Sequence, residues 1–246
     1  MRGLRPLDAD QPIDFEVRAG EILGIAGLLG SGRTELLRAL FGADPVAGGE
    51  VEVDGVKVPR GNPRRAVQAG LGLLTEDRKQ LGLLLELSIR ENASIARLEE
   101  ISRFWQVDRR RERSVVDQYL AGLRLRAGSW EQPVSSLSGG NQQKVLLARW
   151  LATKAKVLMF DEPTKGVDVG AKSEIYTVIG DLANEGLGVI VVSSYLPEVL
   201  GLADRLLVMR QGSVAGELPA QGTTEEDVLR LASPGAEQQE SRGGTS

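Results

Sequence analysis

Short runs of β-branched and aliphatic residues alternate along the chain with longer amphipathic stretches. Strands buried on both faces read as continuous apolar runs, whereas helices show one apolar stripe, so the alternation predicts an α/β protein. Residues 22–26 read as a buried strand, followed by a glycine-rich turn and a helix through Phe41. Residues 51–58 read as a hairpin that turns at Asp54 and Gly55. Asn62 and Pro63 read as a helix cap with proline at the first helical position, and 71–75 as a further strand.

From about residue 88 to 126, charge-rich helical patterns replace the β-branched runs. Ser88 with Glu91 fits a capping box, and the charge cluster at 108–113 reads as a solvated helix face rather than a binding patch. A helical subdomain, within about 88–150, is expected to be inserted into the α/β core. Ser138 is placed to cap a helix running to about Thr153. Residues 157–160 and 189–193 read as buried parallel strands, with a helix over 171–184 between them. Residues 206–209 and 213–217 read as strands about Gln211 and Gly212, and Thr223 with Glu226 as the start of a last short helix. Residues 1–232 are expected to form one domain, and the polar, glycine-rich 233–246 a disordered tail. No internal repeat is visible.

Composition narrows the chemistry. The 246 residues include no cysteine and no histidine. Disulfides, thiolate nucleophiles, Cys-ligated metals, Ser-His-Asp triads and imidazole bases are therefore excluded. Acid–base work falls to Asp, Glu, Lys, Tyr or water. Thirty basic against 34 acidic side chains give a net charge of −4, which argues against a protein that coats nucleic acid. Glycine is abundant, at 30 residues, but scattered, and only 4% of residues are aromatic, so aliphatic side chains must make the core. No apolar run approaches the roughly 18 residues of a membrane-spanning helix, and the first eight residues lack the apolar stretch of a signal peptide. An intracellular protein is expected.

Three segments carry candidate chemistry. The first is Gly27-Leu28-Leu29-Gly30-Ser31-Gly32-Arg33-Thr34, between an apolar strand and a helix. Successive amides and the positive end of a helix can wrap an anion there, and the Thr34 hydroxyl could ligate Mg²⁺. The strict phosphate-loop motif has lysine where Arg33 stands, and an ordinary glycine-rich strand–helix turn would read the same way. The second is the end of the 157–160 strand, which delivers Asp161 and Glu162 where open α/β sheets place their ligands. Asp161 would hold Mg²⁺ and Glu162 would polarise a water; an acidic turn is the alternative. The third is Leu137-Ser138-Gly139-Gly140-Asn141-Gln142-Gln143-Lys144, which opens a helix and could bind a second anion, or be no more than a capped helix.

In chain order the three segments resemble the ATP-binding-cassette ATPases: phosphate loop, signature motif, then magnesium and base carboxylates. Residues 166–170 occupy the place of the D-loop, 74–78 that of the Q-loop, and 192–195 that of the switch. The resemblance runs from about Leu4 to Ala232. Arg33, Glu76 and Ser194 depart from the usual lysine, glutamine and histidine. Together they resemble the C-terminal nucleotide-binding domain of the tandem ATP-binding subunits of bacterial ribose-, galactose- and xylose-type sugar importers. From that narrower pattern the chain departs at Ser31, Lys165 and Tyr195.

The resemblance implies a P-loop ATPase core with an antiparallel β subdomain and an inserted helical subdomain. It implies ATP and Mg²⁺ as cofactors. Nucleotide contacts would come from Gly27, Leu28, Leu29, Gly30, Ser31, Gly32, Arg33, Thr34 and Glu76, and from Ser138, Gly139, Gly140 and Asp168 toward a nucleotide on a partner domain. Thr34 and Asp161 would hold the metal; Glu162 and Ser194 would be catalytic. The implied partners are an N-terminal nucleotide-binding half of the same subunit, transmembrane permease subunits and, indirectly, a periplasmic or lipid-anchored sugar-binding protein, with no nucleic acid. The implied place is the cytoplasmic face of the bacterial inner membrane, as a peripheral protein. The leucines of 81–87 either meet a permease helix or fill the contact with the helical subdomain. Alternatives are a nucleotide-binding regulatory module with little hydrolysis, a cassette for related cargo such as nucleosides, a cassette acting on RNA or the ribosome, and a P-loop kinase or GTPase.

Overall fold

A computed structural model describes residues 1–233, apart from Asp8, Asp10, Trp105 and the side chain of Lys79. The expected tail therefore lies, beyond Ser233, outside the described residues. The strands are β1 (Arg2–Pro6), β2 (Ile22–Gly27), β3 (Val46–Val53), β4 (Val56–Val58), β5 (Leu71–Leu74), β6 (Ser102–Arg103), β7 (Gln106–Val107), β8 (Val157–Asp161), β9 (Gly188–Val192), β10 (Arg205–Arg210) and β11 (Ser213–Pro219). The helices are α1 (Arg33–Phe41), α2 (Pro63–Ala69), α3 (Ile89–Ser94), α4 (Leu98–Ile101), α5 (Arg109–Gly122), α6 (Gly139–Ala152), α7 (Val169–Asn184), α8 (Leu196–Leu202) and α9 (Glu225–Ala232).

A six-stranded sheet runs β11-β10-β2-β9-β8-β5, parallel throughout except for the edge strand β11. Its central strands are apolar along their whole length because helices cover both faces. The two-residue period sorts their side chains. Leu158, Phe160, Val189 and Val191 join a core with α6 and α7, where Leu146, Ile175 and Ile179 meet them. Met159, Ile190 and Val192 join the opposite core, with Leu36, Leu37 and Leu40 of α1. A smaller antiparallel sheet, β1-β3-β4, lies against that second core through Leu4, Val53 and Val58. Between β5 and β8 the chain is helical, save for the short β6–β7 hairpin.

Several expectations need adjusting. The last helix opens at Thr224, not Thr223: Thr224 has the extended backbone of an N-cap and forms a capping box with Asp227, while Thr223 Oγ1 donates to the Pro219 carbonyl. Ser138 sits at the N-cap of α6, but its hydroxyl receives no helix amide; Asn141 Nδ2 donates to it instead, at 3.2 Å. The capping boxes or caps expected at Ser88 and Asn62 are formed. Within the 108–113 cluster four arginines face solvent, but Glu112 turns inward, pairing with buried Arg90 and accepting from Ser94 Oγ at 2.8 Å. Strand β1, helix α8 and the single π-helical turn Arg78–Gly82 have no counterpart in the sequence reading.

Candidate functional site

Strand β2 ends in the middle of the sheet, between β10 and β9, and the chain must reverse there into α1. Gly30 and Gly32 make the turn in the left-handed region, at φ 76° and 93°. A Cβ on Gly32 would also lie 3.2 Å from the Gly212 Cα of the β10–β11 turn, whose amide donates to the Ser31 carbonyl. Glycine is thus required at 32 by both backbone and neighbour. Leu28 and Leu29 stand out into solvent. The first amides of α1, those of Arg33 and Thr34, have no intrahelical acceptor, and the Ser31 hydroxyl is buried without a partner. An anion seated in this turn would satisfy these groups.

Arg33 is buried, and its Nη1 donates to the Ser193 carbonyl at 2.8 Å, just past the end of β9. Thr34 Oγ1 donates to Asp161 Oδ1 at 3.1 Å. Asp161 is 3% exposed, and burial pushes its carboxyl up to about 6. The Thr34 hydrogen bond and Arg33 oppose that rise, whereas Glu76 and Glu162 reinforce it. A cation beside Asp161 would restore the charged form. Among the described residues no three acidic side chains converge as a metal cage. A divalent ion held by Thr34 and Asp161 would therefore draw its other oxygens from nucleotide and water, the manner of Mg²⁺.

Glu162 follows in the left-handed region at φ 51°, its amide bonded to the Val192 carbonyl. Its Oε2 accepts from Ser194 Oγ at 3.1 Å. Thr34, Asp161, Glu162 and Ser194 thus gather at the carboxyl ends of three adjacent strands, β2, β9 and β8. Such a site combines an anion cradle, a cation ligand set and a carboxylate able to orient water.

The remaining expected residues form a second group. Ser138, Gly139 and Gly140 open α6, and no hydrogen bond or ion pair among the described residues links them to 27–34. A Cβ on Gly140 would fall 2.8 Å from Ala171 Cβ, so glycine is demanded there, whereas one on Gly139 would fall 2.7 Å from Arg78 Nη2, the movable end of a side chain. Asp168 caps α7 by accepting from the Ala171 amide at 2.9 Å. Glu76 lies between the groups: it pairs with Lys165 and raises the Asp161 carboxyl. Arg78, Gln142 and Arg149 join these segments, and their roles were not foreseen from sequence. Of the leucines at 81–87, Leu83 and Leu85 pack into the core beside the helical region, whereas Leu81, Leu84 and Leu87 face solvent.

Residues 11–165 match the family described as ABC transporter. The chain belongs to the ABC transporter family. It is 51% identical over 232 residues to the ribose import ATP-binding protein RbsA 3 of Rubrobacter xylanophilus, covering 94% of this chain and 46% of that protein. It is 47% identical over 225 residues to the ribose import ATP-binding protein RbsA of Bacillus subtilis, covering 92% and 46%. A putative ribose/galactose/methyl galactoside import ATP-binding protein of Pseudomonas fluorescens is 48% identical, over 95% and 45%. The chain thus spans about half the length of the curated relatives it matches. The fold is that of the ABC cassettes. A dimeric bacterial ABC transporter cassette superposes with a TM-score of 0.74 at 22% identity, covering 91% of this chain and all of the other. A nucleotide-free cassette superposes equally well, over 93% and 94%. The expected fold class and the broad family resemblance hold.

Proposed function

We propose that this chain is the ATP-binding and ATP-hydrolysing energy-coupling domain of a carbohydrate ABC importer. Residues 1–232 form the nucleotide-binding domain, the C-terminal half of a tandem subunit. The observation that carries this reading is the meeting of Thr34 Oγ1 and Asp161 Oδ1 beside a glycine turn with open amides. Residues 27–34 would hold the nucleotide phosphates, and Thr34 and Asp161 would hold Mg²⁺, which would supply charge neutralisation on those phosphates. Glu162 orients the attacking water, and Ser194 holds the Glu162 carboxylate. Ser138, Gly139, Gly140 and Asp168 serve a nucleotide on the N-terminal half, because they lie apart from this chain's own loop. The names of the relatives, which import ribose or related sugars, support a sugar as cargo. Permease subunits and a separate sugar-binding protein complete the importer, and the domain works from the cytoplasmic face. No described helix is long and apolar enough to cross a membrane.

Two observations favour a second reading, in which this half binds nucleotide and turns it over slowly. Arg33 is spent on the Ser193 carbonyl, and a serine hydroxyl stands at 194. Nucleotide binding and single-turnover hydrolysis, measured on the chain alone and on the full-length subunit, separate the two. Rapid turnover by the chain alone refutes the slow-site reading, and absent binding refutes both.

A further inference from the structure

Arg78 occupies the π-helical turn that follows Glu76, and its side chain reaches two other segments, the 165–166 turn and the start of α6. Nη1 donates to the Lys165 carbonyl and Nη2 to the Gly166 carbonyl, each at 3.0 Å. Nε donates to Gln142 Oε1 at 3.4 Å. Gln142, 5% exposed, continues the chain: its Nε2 donates to the carbonyls of Leu137, at 3.2 Å, and Val134, at 3.4 Å. The same guanidinium lies against Gly139, where a side chain would displace it. A rigid planar fork can hold two carbonyls in one direction and an amide in another, which a lysine ammonium on a flexible stem does less well. Burial lowers the pKa of Arg78, and Asp77 partly offsets that. A second strap, Lys165 to Glu76, joins the same two loops.

We propose that Arg78 is a positioning residue that locks the start of α6 and the 165–168 turn into one register, so that both are presented together to a partner's nucleotide. This rests on the functional reading above. Arg78 touches no nucleotide; it acts through the glycines and carbonyls it holds. Without it, the start of α6 and the helical region before it lose this link to the 165–168 turn, while the middle of α6 stays packed in the core.

These 246 residues contain no cysteine, so a label pair within them is unambiguous once any cysteine of the other half is replaced by serine. Spin labels go on Gln118→Cys, in exposed α5, and Asp181→Cys, in exposed α7, of the full-length subunit. The expected result is one narrow distance distribution with Arg78 and a broadened one in Arg78→Ala. ATPase turnover should fall about tenfold, while thermal midpoint moves by less than about 5 °C. Arg78→Lys should restore both only in part, and it carries the test if the alanine variant does not fold. An unchanged distance distribution with turnover within about twofold of normal overturns the proposal. A parent subunit that hydrolyses no ATP overturns the functional reading instead, and the distance measurement still decides the role of Arg78.

Discussion

The residues at the strand ends and those at the start of α6 are held by different means. Asp161 and Glu162 take their positions from β8, and Thr34 from the first turn of α1 behind β2; both strands are buried and fixed by main-chain ladders. Their surroundings are dry enough to shift the Asp161 carboxyl. Ser138, Gly139 and Gly140 have no such ladder. The middle of their helix packs into the core through Val145, Leu146 and Ala148, but its start is tied to neighbouring loops by Arg78 and Gln142, and Arg149 adds a further side-chain link. Arg149 is buried, bonded to the Asn92 carbonyl and side chain and to the Gly82 carbonyl, and burial lowers its pKa to about 10. A sheet holds chemistry rigidly, whereas a joint made of side-chain hydrogen bonds can be set, and upset, by single residues.

The largest test of this contrast is functional. Ser138→Arg puts bulk and charge where, on the proposed reading, the α6 amides would face a partner's nucleotide. Turnover by the full-length subunit should fall about a thousandfold. Arg33→Ala removes a cation already engaged by the Ser193 carbonyl and should lower it about tenfold or less. Steady-state ATPase assays of both variants check the ranking, and the reverse order breaks the assignment of the two groups.

Next in size is the buried ion pair of the helical region. Arg90→Ala leaves Glu112 buried, with only exposed Arg109 and the Ser94 hydroxyl for company. The loss should be about 3–4 kcal/mol in denaturant unfolding. A loss below about 1 kcal/mol would show that Glu112 finds water, and that this region is looser than its packing implies.

The difference between the two groups also decided what could be read from sequence. Continuous apolar runs mark parallel strands, and Asp161 and Glu162 were legible as the polar residues that end one; Thr34 was legible from the glycine-rich turn before it. The contacts of Arg78 with Lys165, Gly166 and Gln142 span distant parts of the chain, and no local period encodes them. Glu112 hid within a run of arginines because helix phase, not composition, turned it inward. Thr223 and Thr224 are both followed by an acid three positions on, so the cap was undecidable to one residue until the Pro219 carbonyl claimed Thr223.

A third test returns to the strand ends. The Asp161 carboxyl titrates near 6 in the folded chain against 3.8 when free, so the native state holds its proton more tightly than the unfolded chain. Its contribution to stability therefore falls as pH rises from 3.8 to about 6, by about 3 kcal/mol in all. Asp161→Asn removes the penalty and keeps an acceptor for Thr34. The variant should match the parent near pH 4 and exceed it by about 3 kcal/mol above pH 6. Melting curves across that range check it; a difference that does not vary with pH would place the strain elsewhere. At this chain's own site, assayed on the chain alone, the same substitution should abolish Mg²⁺-dependent hydrolysis, so stability and function move in opposite directions at this residue.

The smallest effect should come from Ser194. Its hydroxyl bonds Glu162 at 3.1 Å but is exposed, so water can replace it. Ser194→Ala should change stability by less than about 1 kcal/mol and full-length turnover by less than about threefold. That near-silence is informative, because Ser138, also an exposed serine, should tolerate no comparable change. Ser194 would be the side chain of a site whose turnover is already slow, and Ser138 the side chain that serves the faster one. If Ser194→Ala instead removes most of the turnover, Glu162 depends on that hydroxyl for its orientation, and the strand-end group is the faster site.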